Sequence, residues 1–259
     1  MRLKLTLRHA PHCILPKDYE YLISSWIYNT LWQANTEFAT WLHNEGYDFN
    51  NRRYKLFTFS ELMPERYETP RGKGQFILKT GPSVLILSFK IPDAFQHFVA
   101  GLFRQGSFSL GDRRHQVDFT IEGIETLAKP IFQPVMRFRL HKPCLISQQT
   151  EQDKHAQYLH PEDANFTPLF FNNLLHKTAA ALQPTIPGVK MSVEADSNWK
   201  LRILSEPKRR MTRIKGTKYI GYKFDFELEA PVALMETGYF SGFGEKNSSV
   251  GFGFAGVLK

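Results

Sequence analysis

The sequence has no apolar run near the roughly 18 residues that a membrane-spanning helix needs, although 42% of its residues are hydrophobic. A soluble cytoplasmic protein without a membrane partner is expected. Its two cysteines, Cys13 and Cys144, stand apart without CxxC spacing, so neither a disulfide framework nor a zinc ribbon is indicated. Each is expected to serve packing. The nine histidines form no HExxH and no carboxylate-rich ligand spacing, and neither a metal nor another cofactor is expected. The opening MRLKLTLRHAPHC alternates basic and apolar residues, which is the period of a strand rather than the continuous core of an export signal.

Acidic charge is also in short supply. Thirty-three Lys and Arg face 25 Asp and Glu, a net charge of +8, and a polyanion is the natural partner of such a surface. Nine of the basic residues fall between Lys200 and Lys223, opposed by Glu206 alone. Within that run Lys208, Arg209, Arg210, Arg213, Lys215 and Lys218 surround Gly216, which predicts a basic β-hairpin turning at the glycine. Tyr219, Tyr222 and Phe224 interleave with the charges as they would on a nucleic-acid surface. The competing reading is a solvated face or an edge strand blunted by lysine.

Glycine gathers at the C-terminus, where GYFSGFGEKNSSVGFGFAGVLK holds six of the 17. Pro231 opens the preceding PVALMETGYF as a short helix expected to end at Gly238. The following GFGFAGVLK alternates as a terminal strand. The order helix, glycine loop, strand does not suit a dinucleotide fold, whose glycine loop joins a strand to a helix N-terminus. A surface turn or a clamp for a polynucleotide backbone remains.

Periodicity divides the chain into two similar halves. RLKLTLRHA reads as a strand and KDYEYLISSWIYNTLW as an amphipathic helix, with a second helical piece to about Leu42. Strands follow at YKLFTFSEL, GQFILKT and SVLILSFK, then a helix capped at Gly106 and a strand in HQVDFTIEGIETL. From about residue 128 the order repeats: a strand in PVMRFRLHKPCLIS, a helix in NFTPLFFNNLLHKTAAAL, further strands, the Pro231 helix and the closing strand. The polar segment 148–165 is expected to be an exposed loop. The fold class expected is α+β, two tandem ferredoxin-like (βαββαβ) domains, 1–127 and 128–259.

The closing GFGEKNSSVGFGFAGV, with IYNTLWQANTEFATWLHNEGY and KLFTFSEL near the start, resembles the CRISPR-associated endoribonucleases of the RAMP superfamily, which cut repeat transcripts into guide RNAs. The resemblance runs the length of the chain. It implies cleavage without a metal, by attack of a ribose 2′-OH on the adjacent phosphate, leaving a 2′,3′-cyclic phosphate and a 5′-OH. It implies a catalytic set of Tyr28, His43 and Lys55. His43 falls at a helix C-terminus, where the dipole favours the imidazolium. Tyr28 lies fifteen residues earlier, about 22 Å away on an unbroken helix, so the two meet only if the helix breaks. Asn35 or Thr36, with Glu37 behind it, offers an N-cap at which the second piece turns back.

Lys55 follows the loop GYDFNNRRY as a cation for the scissile phosphate, with Arg52 and Arg53 beside it to assist. RNA contacts are expected from Arg52, Arg53, Lys208, Arg209, Arg210, Arg213 and Lys215. The glycine loop is expected to line an RNA groove through Gly242, Gly244, Lys246, Asn247, Ser248, Gly251 and Gly253, and to rest on the first domain. The partner implied is CRISPR repeat RNA. The alternative is a non-catalytic RNA-binding subunit that holds repeat or guide RNA among the other subunits of a CRISPR effector complex. Neither half carries the aromatic opening of an RRM-type single-strand binder, and a homodimer stays open.

Overall fold

Leu3, Leu5 and Leu7 alternate along the first strand and are at most 1% exposed, so a period of two decides which face the N-terminal half buries. The computed structural model describes residues 1–72, 74–111, 115–149, 156–182, 198–245 and 248–258. The N-terminal half begins with β1 (Arg2–Arg8), β2 (Cys13–Pro16), α1 (Glu20–Ala34) and α2 (Thr36–Asn44). It continues through β3 (Tyr47–Phe49), β4 (Arg52–Tyr54), β5 (Phe57–Phe59), β6 (Met63–Pro64), β7 (Tyr67–Glu68) and β8 (Gln75–Leu78). It closes with β9 (Ser83–Phe89), α3 (Pro92–Gln105), β10 (Ser107–Gly111) and β11 (Gln116–Leu127).

The C-terminal half runs β12 (Val135–Leu140), β13 (Ser147–Gln148), β14 (Gln157–Tyr158), α4 (Phe166–Leu182), β15 (Lys200–Ile203) and β16 (Lys208–Ile214). It ends with β17 (Thr217–Lys223), β18 (Asp225–Glu229), α5 (Val232–Ser241) and β19 (Ala255–Val257). The two main sheets share one plan. The first is ordered β10-β11-β1-β9-β5 and the second β15-β18-β12-β19. Leaving aside β10, each places the first strand of its half between the third and the last, with the second beside the third. Both are mixed α and β, and each half has its own core, around Leu5, Ile27 and Phe98 in one and Phe138, Phe170 and Phe226 in the other.

Local signals decide the helix ends. Pro92 starts α3 and Gly106, at φ 62°, caps it with its N–H on Leu102 O. Within α3, Gly101 lets α1 approach: a Cβ there would lie 1.9 Å from Thr30 O, which justifies the helix propensity that glycine forfeits.

The halves are joined by buried polar contacts. The Arg2 guanidinium lies 3.4 Å from the Tyr239 ring centroid and donates to Tyr239 O (2.6 Å) and Ala255 O (2.7 Å). Thr58 Oγ1 donates to Phe252 O at 3.2 Å, and Lys142 Nζ to Glu20 at 2.6 Å.

Four expectations need correction. α5 runs past Gly238 to Ser241, because Gly238 is a packing position whose Cβ would meet the Phe243 ring at 2.2 Å. The terminal strand is only Ala255–Val257, since Gly251 and Gly253 sit at φ 90° and 71°, where a strand cannot continue. The loop before Lys55 is a hairpin, β3 paired with β4, turning at Asn50 and Asn51, both with positive φ. In the polar segment 148–165, β14 pairs with β13 in a short ladder, and residues 150–155 lie outside the described residues. Cys144 is buried and Cys13 half-buried, and both are free thiols. No helix among the described residues is long and apolar enough to cross a membrane.

Candidate active site

The site begins with one asparagine. Asn35, at φ −152° and ψ 102°, leaves the helical region, closes α1 with its N–H on Leu31 O, and opens α2 by accepting from Phe38 N at 2.9 Å. Both helix ends are thereby satisfied at a single residue. The reversal brings the Tyr28 and His43 rings edge to face, with centroids 5.1 Å apart and planes at 81°.

His43 is exposed in the last turn of α2, with Nδ1 3.0 Å from Asn44 Oδ1. The carbonyls that end this helix are covered by cations: Lys55 Nζ donates to Leu42 O (2.6 Å) and His43 O (2.8 Å), and Arg53 donates to Asn44 O (3.2 Å). Positive charge there complements the helix dipole. Desolvation, assisted by Arg53, lowers the Lys55 ammonium to about 8. Lys55 therefore lies behind His43, gripping its backbone.

Tyr28 is half-buried, with its ring edge-on to Phe57 at 5.6 Å and its helix packed against the turn that carries Ser249. Burial raises its pKa well above the ordinary phenol value, so the hydroxyl stays protonated at neutral pH. Ser249 sits in a 3-10 turn, Ser248–Val250, inside the glycine-rich segment. Three separate elements thus converge: α1 with Tyr28, the end of α2 with His43, and the glycine loop with Ser249.

Gly242, Gly244, Gly251 and Gly253 are all buried. A Cβ on Gly253 would lie 1.8 Å from Phe243 O, one on Gly251 3.0 Å from Phe59 O, and one on Gly244 2.9 Å from Leu145 O. The close approach that glycine permits is here of chain to chain, and through Phe59 and Thr58 the loop rests on the N-terminal half. The expectation that these four line a groove is corrected accordingly. Lys246 and Asn247 lie outside the described residues; Ser248 is half-buried. Glu245 ties the loop sideways, accepting from Ser147 N (3.0 Å) and Oγ (2.8 Å), with Arg52 3.8 Å away.

The basic hairpin forms as β16 and β17, turning at Lys215 and Gly216 with φ 47° and 82°. The charges of the basic run, from β15 through the hairpin, are not equivalent. Lys200, Arg202 and Lys223 pair with Glu229, Glu227 and Glu61, whereas Lys208, Arg209, Arg210, Arg213 and Lys218 are exposed and have no ion-pair partner among the described residues. At the tip, Lys215 Nζ lies 4.6 Å from the Tyr21 ring centroid on α1, two turns before Tyr28. Phe224 is a core residue, 3% exposed, because Phe224, Phe226 and Leu228 share the inner face of their strand. Tyr222 packs against the same core, and the Tyr219 ring lies 6.4 Å from Phe252.

Residues 14–125 match the N-terminal region of CRISPR-associated protein Cas6, and residues 127–257 match its C-terminal region. The chain belongs to the Cas6 family. It is 29% identical over 256 residues to the CRISPR-associated endoribonuclease Cas6 1 of Methanocaldococcus jannaschii, covering 98% of this chain and 91% of the relative. Over 247 residues it is 28% identical to the CRISPR-associated endoribonuclease Cas6 of Pyrococcus furiosus, covering 94% and 83%. A solved structure of a CRISPR-associated protein Cas6 superposes with a TM-score of 0.77 at 26% identity, over 100% of this chain and 99% of that one.

Within this Cas6 fold, sequence reasoning missed Ser249, Glu245 and Lys177. The first two stand in the polar knot of the glycine segment. Lys177 is the one lysine of α4, a helix without arginine or carboxylate, and it stands on the face that Leu174 and Phe170 bury, where an ammonium signals a buried partner.

Proposed function

We propose that this Cas6 protein is an endoribonuclease that cuts CRISPR repeat transcripts without a metal, by attack of a ribose 2′-OH on the adjacent phosphate. The observation that carries the reading is the edge-to-face contact of Tyr28 and His43 across the Asn35 break. As the 2′-OH gives its proton to solvent water and the O2′–P bond forms, the P–O5′ bond breaks and His43 gives its own proton to the 5′ oxygen, which leaves as a hydroxyl beside a 2′,3′-cyclic phosphate. Tyr28, protonated through burial, donates a hydrogen bond to the reacting groups rather than removing a proton. Lys55 acts on the developing charge from behind His43, with a reach limited by its two carbonyl partners.

The repeat is held by the exposed cations Lys208, Arg209, Arg210 and Arg213, by Lys215, and by Arg52, Arg53 and the polar part of the glycine segment. The two sheets support a division into ferredoxin-like units, 1–127 and 128–259, since both follow the order expected of a βαββαβ chain.

The test is incubation with a repeat RNA in EDTA, with analysis of both product ends. A 5′-phosphate on the downstream product, or normal cleavage of a substrate with a 2′-deoxy nucleotide just before the cut, contradicts the mechanism. Tight binding with no cleavage would make the protein an RNA-holding subunit.

A further inference from the structure

Lys177 lies on α4 with 2% of its surface exposed. An ammonium in such a place is costly unless every proton has work to do. Its Nζ donates to Gly242 O at 2.7 Å and to Gly244 O at 2.8 Å. These carbonyls flank Phe243, whose N–H donates to Gly253 O at 2.9 Å and so closes the glycine segment into a ring. Both glycines have positive φ, 86° and 101°, a backbone form that a side chain would strain. Burial lowers the ammonium to about 8, with the Cys144 thiol and the Glu245 carboxylate opposing that shift.

At the far side of the same ring, the Ser248–Val250 turn packs against α1 and places Ser249 near Tyr28. A packed chain of contacts therefore runs from the second core to the ring beside His43.

We propose that Lys177 is a positioning residue for the active site: it clamps the glycine loop from beneath, so that Ser249 meets Tyr28 and holds its phenol next to His43. This rests on the reading of Tyr28 as a group that touches the reacting atoms. A methionine would fill much of the same space, so the ammonium itself is what the loop requires.

The experiment compares Lys177→Met, Ser249→Ala and the double variant in single-turnover cleavage at saturating repeat RNA. Equilibrium RNA affinity, thermal melting and hydrogen exchange of the loop amides are measured beside it. Misplacement of a reacting group costs up to about a hundredfold in rate, so Lys177→Met is expected to slow cleavage by about tenfold or more while affinity stays within about threefold. If Lys177 acts through Ser249, the double variant is no slower than the slower single one, as coupled sites behave. The amides of Phe243 and Glu245 should exchange faster while those of the N-terminal core keep their protection.

Wild-type cleavage by Lys177→Met, or effects that multiply in the double variant, would overturn the proposal. Should Lys177→Met fail to fold, Lys177→Gln, which keeps a donor but no charge, takes its place under the same criteria. Tyr28→Phe separates the two possible failures. Wild-type cleavage by that variant sinks the reading on which the proposal rests, whereas unchanged loop exchange in Lys177→Met sinks the clamp itself.

Discussion

Two hairpins in this molecule are built alike and differ in what faces their charges. β3–β4 turns at Asn50–Asn51 and β16–β17 at Lys215–Gly216, each with two successive positive-φ residues, the mirror-image turn that matches strand twist. Each carries an arginine pair. Arg52 faces Glu245 and Arg53 covers the carbonyl of Asn44, so the short hairpin links the His43 helix to the glycine loop. Arg209 and Arg210 face solvent. The same residue type thus assembles the site in one hairpin and presents a field in the other, and what stands opposite makes the difference. Changes at the first should be read in the rate of cleavage as well as in binding, and changes at the second in binding alone.

The largest expected effect lies at the site that the short hairpin supports. His43→Ala should lower the single-turnover rate by about 10² or more, within the range of a positioned acid or base, and leave repeat affinity within a few-fold. Loss of rate and affinity together would make His43 a structural end to α2. A smaller effect of a different kind is expected from the long hairpin. Each phosphate contact on a single strand contributes about −0.7 to the slope of log affinity against log salt, so alanine at Arg209, Arg210 and Arg213 should flatten that slope by up to about two units. Saturating RNA should restore most of the rate. A triple variant with wild-type affinity and slope would turn the long hairpin into a solvated face and erase the contrast.

What was legible in the sequence follows the range of the interaction that decides it. The break at Asn35 is a local capping event, four residues wide, and Tyr28 and His43 could be brought together from it alone. Pro92, Gly106 and Gly216 likewise act where they stand. The glycine segment was legible as an anomaly, yet its cause is remote: Phe59 presses on Gly251 and Lys177 on the carbonyls of Gly242 and Gly244. Glycines demanded by tertiary contact look the same as glycines offered to a ligand. Asn50–Asn51 between Tyr and Phe alternation carried a hairpin signal that could have been read. Phe224 was assigned to the wrong surface because the strand face is fixed by Phe226 and Leu228 after it, not by the charges before it.

The finest test uses the pH dependence of the cation behind His43. Lys55 is lowered from 10.5 to about 8 by desolvation, so between those values the unfolded chain binds more protons at this site than the folded one. Stability gained from this group therefore rises with pH from about 8 to about 10.5, being lowest below that window, where the folded state must keep the ammonium partly desolvated. Lys177, also lowered to about 8, contributes in the same direction. Cleavage should move oppositely, because neutralising Lys55 removes positive charge from behind the reacting phosphate. Lys55→Met should flatten the rise of stability without abolishing it, since Lys177 remains, and for the same reason should lessen, without removing, the decline in rate above about pH 8. Parallel pH series of chemical denaturation and single-turnover cleavage would check both signs. A decline in rate that is the same in the wild type and in Lys55→Met would confine Lys55 to the helix end, and the short hairpin would then support the site purely by holding His43 in place.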